Sequence, residues 1–425
     1  MPTLTDEPEN PIQRLTPEQL EELGRLFDEL HEQVKDDLGD RDAKYIRSII
    51  ALHRRLGLMG RMELLAPTFL PALILGTATL SIAKILENME IGHNVLHGQW
   101  DWMNDPVINS QAWDWDTAST AEAWRHSHNY VHHTYTNIRG RDKDLGYEIM
   151  RIDPHQPWHP VYLLQPFYNL LLMALFEWGV AFHDLDLDAV RSGEKSRTEV
   201  LRDLKGIWGK AWLQIKKDYI AWPLMSAAAT GAVAYAFGPP TVSRLDRLRR
   251  RGRSRTGHAL DAAKRAYTHA AAADAAANVI RNLWAHSIIF CGHFPDQTYT
   301  FSQSEVEDES RGARYVRQLV GAANIDGGPL FHVMSGNLGY QVEHHLYPDM
   351  PSTRYGEIAP RVREICREYG LPYNTGPLSK QLGMVHRTII RLAFPGGKVR
   401  PKPGPYQGEK VRGSGERGRY AAMAA

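Results

Sequence analysis

The chain has 425 residues, of which 43% are hydrophobic, enough to build one large domain or two ordinary ones. Its 50 basic and 49 acidic side chains nearly balance, so net charge favours neither a nucleic-acid partner nor an acidic substrate. Only two cysteines are present, too few for a disulfide framework or a thiolate metal site. Histidine is the outlier, because several of its 19 residues stand in tight groups.

Residues 1–47 form an acidic, amphipathic N-terminal region. Leucines and Phe27 recur at helical spacing behind Thr16, Pro17 and Glu18, and this pattern predicts an amphipathic helix over residues 16–37. We expect this helix to cover the main domain and to take no part in the chemistry. Nothing in the region resembles a secretory signal, which predicts that the N-terminus stays in the cytoplasm.

Three apolar stretches follow, at residues 64–91, 161–182 and 220–237, and each has about the length that a bilayer crossing needs. The first stretch fits one crossing or a short helical hairpin. Its second half carries Lys84 and Glu87, and ionisable groups inside a membrane commonly mark a functional interior. We therefore predict an all-α, multi-pass transmembrane protein, with buried helices of a large soluble protein as the alternative.

Residues 241–277 depart from this composition. Seven arginines occur between Arg244 and Arg255, and an alanine-rich run continues to Ala277. We interpret this segment as a solvated basic loop and a short helix that faces anionic headgroups, with docking of an acidic electron carrier as a second reading. Residues 396–425 are rich in Pro, Gly, Lys and Arg, which is typical of a disordered basic tail.

Two histidine clusters lie in the first half of the chain. His93 and His97 are four residues apart, so on a helix they share one face and can share a metal ion. His128, His132 and His133 stand at a spacing that converges on one side of a helix, where they can contact two adjacent ions. Such a density of histidine is hard to explain as core or surface.

A third cluster is formed by His344 and His345, which follow Glu343. Neighbouring histidines at the edge of a helix can each reach a different ion. His126 is two residues from His128 and should point elsewhere, so we expect it behind the ligands or at the surface. Each group could arise by chance alone, but three of them in one chain predict a metal site.

A fourth element is less distinct. Asn282 and His286 share a helical face, so His286 could bind a metal while Asn282 holds a metal-bound water; the alternative is that His286 is a core histidine. Cys291, Gly292 and His293 follow closely. About eight imidazoles suit iron, zinc or copper rather than calcium or magnesium, and so many ligands suggest two ions.

The three clusters, with Gln341 opening the third, resemble the three histidine boxes of membrane fatty acid desaturases. The likeness extends over residues 48–392 and is strongest to actinobacterial acyl-CoA and linoleoyl-CoA-type desaturases. It implies a desaturase domain over residues 48–395, in which a cytoplasmic helical cap holds the dimetal site above the bilayer. That family has a fourth apolar crossing just ahead of Asn282, where this chain carries residues 241–277, either as an insertion or as a stretch read out of frame.

The resemblance also implies roles for individual residues. Asn282 would act through a bound water, and Gln341 and His126 would stand behind the ligands. The metal ligands would be His93, His97, His128, His132, His133, His286, His344 and His345.

The implied reaction is the oxygen-dependent insertion of a cis double bond into a fatty acyl chain, at a mid-chain position and on acyl-CoA. An unactivated methylene offers no handle for acid–base catalysis, so an oxidant formed from O2 at two iron ions is needed. The chain shows no dinucleotide fingerprint or iron–sulfur cysteine set, so we expect a separate reductase or ferredoxin-type protein to supply electrons. The alternatives are a diiron lipid hydroxylase or ketolase and, more remotely, a non-catalytic zinc-binding membrane protein.

Overall fold

The computed structural model describes residues 10–238, 254–396 and 400–408, and these are mostly helical with very little strand. The helices are α1 (Pro17–Asp36), α2 (Asp40–Glu63), α3 (Leu70–Leu96), α4 (residues 121–135), α5 (Gln165–Ala174), α6 (Phe176–His183), α7 (Leu187–Ser192), α8 (Arg197–Phe237), α9 (Arg255–His293), α10 (Arg311–Gly321), α11 (Pro329–Met334), α12 (Gln341–Leu346), α13 (Tyr355–Glu368) and α14 (Leu378–Leu392). Single 3-10 turns occupy Pro11–Arg14, Asp101–Met103, Leu145–Glu148, Pro160–Leu164, Gln303–Glu305, Leu338–Tyr340 and Ser352–Arg354. Two short parallel strands, β1 (Asn324–Asp326) and β2 (Thr375–Pro377), pair with Asn324 opposite Thr375. The predicted all-α class is confirmed.

Helix α1 is the amphipathic helix that the sequence predicts. Thr16 caps its first turn by accepting a hydrogen bond from the backbone N–H of Gln19, whose side chain in turn accepts from the Thr16 N–H. Its apolar face buries Leu23 and Phe27 completely, in the same core cluster as Val316 of α10. Helix α1 therefore covers the layer formed by α10, α12 and α13.

Two long helical hairpins form the other end of the molecule, because α2 packs along α3 and α8 packs along α9. Among the described residues, α3 and α8 are the two helices that are long and apolar enough to cross a membrane, judged by length and composition. The hairpin alternative for residues 64–91 is wrong, since Leu70–Leu96 is one continuous helix.

Helix α9 corrects the expectation of a short helix after the arginine run, because it is 39 residues long. Buried alanines recur along its first half, and their small side chains allow the helix to pack closely against α8 and α3. Residues 239–253, which hold most of the arginine run, lie outside the described residues. Arg255 and His293 stand at opposite ends of α9, about 57 Å apart at 1.5 Å per residue, so Arg255 does not adjoin the histidines.

Residues 161–182 do not form the single long helix that a crossing needs. Prolines begin both the Pro160–Leu164 turn and α5, and the backbone at Leu175 leaves the helical region with φ −114° and ψ 29°, which separates α5 from α6. The stretch still exposes large apolar side chains, including Phe167 at 62% and Phe182 at 55%. Such exposed apolar surface is typical of a face that contacts a membrane or a partner.

Four buried charges join the four long helices. Arg61 of α2 contacts Asp218 of α8 at 2.5 Å and also pairs with Asp274 of α9, while Lys84 of α3 contacts Asp218 at 2.8 Å. The four side chains are at most 7% exposed. Since each helix contributes one charge and the total is neutral, the cluster fixes how the two hairpins sit against each other.

Candidate metal centre

The first histidine cluster lies where α3 widens into a π turn over Leu86–His93. Single π turns inside α-helices occur frequently at functional sites. The rings of His93 and His97 are 4.6 Å apart between centroids. The His93 ring is held by Asn94, whose Oδ1 lies 3.0 Å from His93 Nδ1 and whose Nδ2 donates to the Gly336 carbonyl at 3.2 Å.

The second cluster also lies on a π turn, Arg125–His132 within α4. Because a π turn bonds residue i to residue i+5, it brings His128 and His133 together, with ring centroids 5.0 Å apart. His132 stacks on His128 at the same separation. His126 points away, is exposed and stacks on Tyr130 at 5.8 Å.

The third cluster, on the short helix α12, joins the other two. The His344 ring lies 5.1 Å from His93 and 4.7 Å from His97. The His345 ring lies 4.6 Å from His133 and 5.2 Å from His132. The seven histidines of the three clusters are thus brought into one group.

An eighth histidine comes from the end of α9, and it is His293 rather than His286. The His293 ring lies 4.8 Å from both His132 and His345. Gln341 Nε2 is 3.0 Å from His293 Nε2, and Gly292 leaves room for this contact, since a Cβ there would stand 2.7 Å from Gln341 Cγ. The eight residues form what we call the histidine cage: His93, His97, His128, His132, His133, His293, His344 and His345.

The structure does not bring His286 or Asn282 to the cage. His286 Nε2 lies 3.1 Å from Asn169 Oδ1, and its ring stacks on Phe290 at 3.6 Å. Asn282 donates to the Ala174 carbonyl at 3.0 Å. Sequence reasoning missed His293 as a ligand, because the spacing of Asn282 and His286 drew attention two turns too early in the helix.

The cage divides into two groups of facing ligand atoms. One group consists of His93, His97, His128 and His344, and the other of His132, His293 and His345; within each, one atom per residue lies within 4.8 Å of the others. His133 stands between them, and both of its ring nitrogens are buried without a hydrogen-bond partner in the described part of the chain. This arrangement suits two neighbouring ions.

Oxygen acceptors hold one ring nitrogen of most cage histidines and leave the other free. The Nδ1 partners are Asn94 for His93 (3.0 Å), Asp144 for His128 (3.3 Å), Asp142 for His132 (3.0 Å), Tyr355 for His344 (3.1 Å) and Gln318 for His345 (3.0 Å). The Nε2 atoms of the cage that remain buried without a partner among the described residues belong to His97, His128, His132, His133, His344 and His345. Metal-binding histidines characteristically show this pattern, because the acceptor fixes the tautomer and directs the other nitrogen to the ion. The residues present therefore fit a metal pair.

Burial keeps the cage ready to bind cations. Burial, aided by the neighbouring imidazoles, lowers the pKa of His133, His344 and His345 well below the usual value, so these rings are neutral donors. Around His132, burial is outweighed by the carboxylates of Asp142 and Asp144, which raise its pKa. A negative charge thus stands directly behind the ligands.

A cavity adjoins the first group of histidines. His93 and His128 stand in its wall, and apolar side chains such as Trp115 and Phe176 line much of the rest. Asp184 also faces it; burial raises the pKa of this carboxyl to about 6, although Ser119 and Ser127 donate hydrogen bonds to it. Apolar side chains therefore lie beside the metal site, together with buried polar groups such as Asp184.

Helices that bring eight buried histidines around a site for two metal ions, beside a cavity with apolar side chains in its wall, fit a metal-dependent oxidoreductase. The family model described as fatty acid desaturase matches residues 65–377, so the chain belongs to that family, whose members are membrane-associated. The chain is 40% identical over 381 residues to an NADPH-dependent stearoyl-CoA 9-desaturase of Mycobacterium tuberculosis, which covers 90% of this chain and 82% of the relative. It is 25% identical to an sn-1 linoleoyl-lipid 6-desaturase of Synechocystis, over 75% of this chain and 79% of that one. No solved structure matches. The resemblance to actinobacterial acyl-CoA desaturases is confirmed.

Proposed function

We propose that this protein is an oxygen-dependent acyl-CoA desaturase that inserts a cis double bond near the middle of a long saturated chain. The observation that carries the proposal is the histidine cage beside the apolar cavity: eight buried ligands for a metal pair, and next to them space for a substrate without polar groups. The name of the Mycobacterium tuberculosis relative supports a CoA thioester as the form of the acyl substrate.

We infer that the cage holds two iron ions. Imidazole-rich sites suit iron, zinc and copper, and the removal of hydrogen from an unactivated methylene calls for a redox-active metal. Bound there, the iron pair would supply the oxidising power for C–H cleavage. The ligands would be the eight cage histidines, with His293 in the place that the sequence gave to His286.

The balance of the reaction requires an external electron donor. Converting CH2–CH2 to CH=CH releases two electrons and two protons, and reducing O2 to two waters takes four of each. The remaining two electrons and two protons must come from outside the substrate. The relative's NADPH dependence supports a separate, NADPH-linked reductase or ferredoxin-type protein as the source.

The chain's own residues position the substrate and keep the site dry. Trp124 packs against the rings of both His93 and His97, at 5.4 and 5.3 Å, and it also lines the cavity, so the acyl chain would meet an apolar wall next to the ligands. Excluding water strengthens every electrostatic interaction inside the site. Asp144 Oδ1 accepts a hydrogen bond from His183 Nε2 at 2.9 Å, which anchors the carboxylate that faces His128.

We further propose a multi-pass arrangement in which α3 and α8 cross the bilayer and α9 accompanies α8. The histidine cage lies at one end of these helices, and we assign that end to the cytoplasm, where a soluble electron carrier can reach it. The alanine-rich first half of α9 would take the place of the fourth crossing. Its Asp274 would be neutralised inside the bundle by Arg61.

The test is the fatty acid profile of a desaturase-deficient host expressing this chain, measured by gas chromatography with mass detection. The wild type is expected to yield a new unsaturated acid, and the His132→Ala/His133→Ala variant is expected to abolish it. His126→Ala is the matched control, since His126 is exposed and outside the cage, and it should retain the product. A hydroxylated product would show that the protein is a hydroxylase instead. Purified protein that contains zinc but no iron, and that turns over no substrate, would favour the non-catalytic zinc-binding protein.

A further inference from the structure

The end of the cavity that is remote from the histidines is closed by a buried ion pair. Arg281 of α9 pairs with Glu177 of α6, and both side chains line the cavity. The pair is almost fully buried, with side chains 1% and 4% exposed. It therefore presents charge at one end of a cavity that apolar side chains such as Trp115, Phe176 and Ile289 also line.

The order of lining residues along α9 locates this end. Ile289, one turn before His293, lines the cavity near the cage, and Ala285 and then Arg281 line it further away. Twelve residues separate Arg281 from His293, or about 18 Å along the helix. On α3, Met89 likewise lines the cavity one turn before His93. The ion pair thus stands deep in the bundle, on the side away from the metal ligands.

The ion pair is held from several directions. Arg281 also donates to the Asp116 carbonyl and to Asn282 Oδ1, each at 3.0 Å. Gln214 of α8 donates to Glu177 at 3.1 Å. Helices α6, α8 and α9 and the segment around Asp116 therefore converge on it, and the pair cannot swing aside without breaking several buried contacts.

An apolar tail cannot replace these contacts. Pushing methylenes against a buried ion pair would strip it of polar partners, and a buried charge that loses its partner is strongly destabilising. A buried pair also adds little stability over apolar residues of similar size, so its presence at the end of an apolar cavity calls for another explanation.

We propose that the Arg281–Glu177 pair is a specificity-determining floor that limits how many carbons of the acyl chain can extend beyond the oxidised position. The inference rests on the proposed function, because it takes the cavity to hold the tail of an acyl chain. It assigns to two named residues the upper limit of chain length.

Two variants change the depth of the cavity in opposite directions. Glu177→Ala/Arg281→Ala removes both charges together, so that neither is left buried alone, and it should extend the preference to longer chains. Ala285→Leu fills the cavity one turn above the pair and should shift the preference to shorter chains. Arg61→Ala/Asp274→Ala is the matched control, since it removes a buried pair of the same bundle that does not line the cavity.

Each variant is given an equimolar mixture of saturated acyl-CoA chains from fourteen to twenty carbons, and the unsaturated products are compared. One methylene in an apolar pocket is worth about 10-fold or more in discrimination, so the ratio of the longest to the shortest product should change by at least about 10-fold in each direction. The acyl-CoA chains should rank in the same order when their stabilisation of each variant against thermal unfolding is measured without oxygen, because this measurement needs no turnover.

The outcomes separate this inference from the function on which it rests. Absence of any unsaturated product from the wild type would overturn the proposed function itself. If the wild type desaturates and Ala285→Leu gives the same distribution of product chain lengths, the proposed floor is wrong but the proposed function stands. If the double variant does not fold, a shift to shorter chains in Ala285→Leu still supports the floor, and a length shift in the Arg61→Ala/Asp274→Ala control would overturn it.

Discussion

His286 and His293 lie seven residues apart on the same side of helix α9, and only His293 reaches the histidine cage. Seven residues are two helical turns, or about 10 Å along the axis, so the two rings cannot serve the same ion. His293 has its ring 4.8 Å from His132 and from His345, whereas His286 is satisfied by Asn169 and packs on Phe290. The helix therefore delivers one ligand, at its end.

This relationship predicts different metal contents for two alanine variants. His293→Ala should lose the ion held by His132, His293 and His345 and so bind markedly less iron, because the group is left with two facing ligands. His286→Ala, the matched control from the same helix face, should retain its iron. Metal analysis of the two purified proteins after iron loading distinguishes them, and depletion in His286→Ala with a full complement in His293→Ala would refute the assignment.

The carboxylate behind His132 should tune metal affinity without touching the metal. Asp142 Oδ1 lies 3.0 Å from His132 Nδ1, and its other oxygen accepts from the Asn137 backbone N–H at 2.7 Å. Removing such a partner typically weakens metal binding by about 10- to 100-fold, because the imidazole is no longer oriented and loses basicity. We expect Asp142→Ala to show this loss in a competition with a coloured chelator.

Asp142→Asn separates the hydrogen bond from the charge, since its amide oxygen can still accept the hydrogen bond from His132 while the negative charge is lost. It should recover part of the affinity. Asp188→Asn, at a carboxylate whose side chain is 59% exposed, serves as the control and should bind iron like the wild type. Equal affinity for Asp142→Ala and the wild type would show that the carboxylate does not orient His132.

Sequence reasoning located the three clusters, because dense histidine at helical spacing has few structural explanations. It could not foresee the π turns at Leu86–His93 and Arg125–His132, since these depend on how each helix is packed and not on local propensity. It also misjudged the length of α9, whose alanines favour a helix by themselves but pack along α8 and α3 over a length that local composition does not specify. Composition describes the residues of such a helix but not the neighbours that stabilise it.

The proposed orientation in the membrane makes a prediction about the two ends of α9. With the cage on the cytoplasmic side, Ser254 at the start of α9 lies at the opposite surface. A cysteine in place of Ser254, which is exposed, should react with a membrane-impermeant maleimide in intact cells.

The matched variant is Glu368→Cys, at the exposed end of α13 in the layer beside the cage, which should react only after the cells are opened. Native background is low, because Cys291 and Cys366 are both fully buried. The reverse labelling pattern would show that the protein has the opposite orientation in the membrane. Labelling of both Ser254→Cys and Glu368→Cys in intact cells would show that no membrane crossing separates the two positions.

The buried charges of Arg61, Lys84, Asp218 and Asp274 predict an order of stability losses. Asp218 is the partner of both cations, so Asp218→Ala leaves two charges buried with reduced pairing, whereas Asp274→Ala leaves Arg61 its contact with Asp218. Losing one partner of a buried pair costs about 3 to 5 kcal/mol when no other partner remains. Asp218→Ala should therefore lower the thermal unfolding midpoint in detergent more than Asp274→Ala does.

An exposed ion pair supplies the control for this comparison. Arg191 and Asp188 are 2.8 Å apart but 78% and 59% exposed, and such pairs contribute about 0 to 1 kcal/mol, so Arg191→Ala should barely move the midpoint. If Asp218→Ala unfolds no earlier than Arg191→Ala, the four charges do not hold the hairpins together. The expected order instead ties the placement of α9, and with it His293, to the cluster of four buried charges.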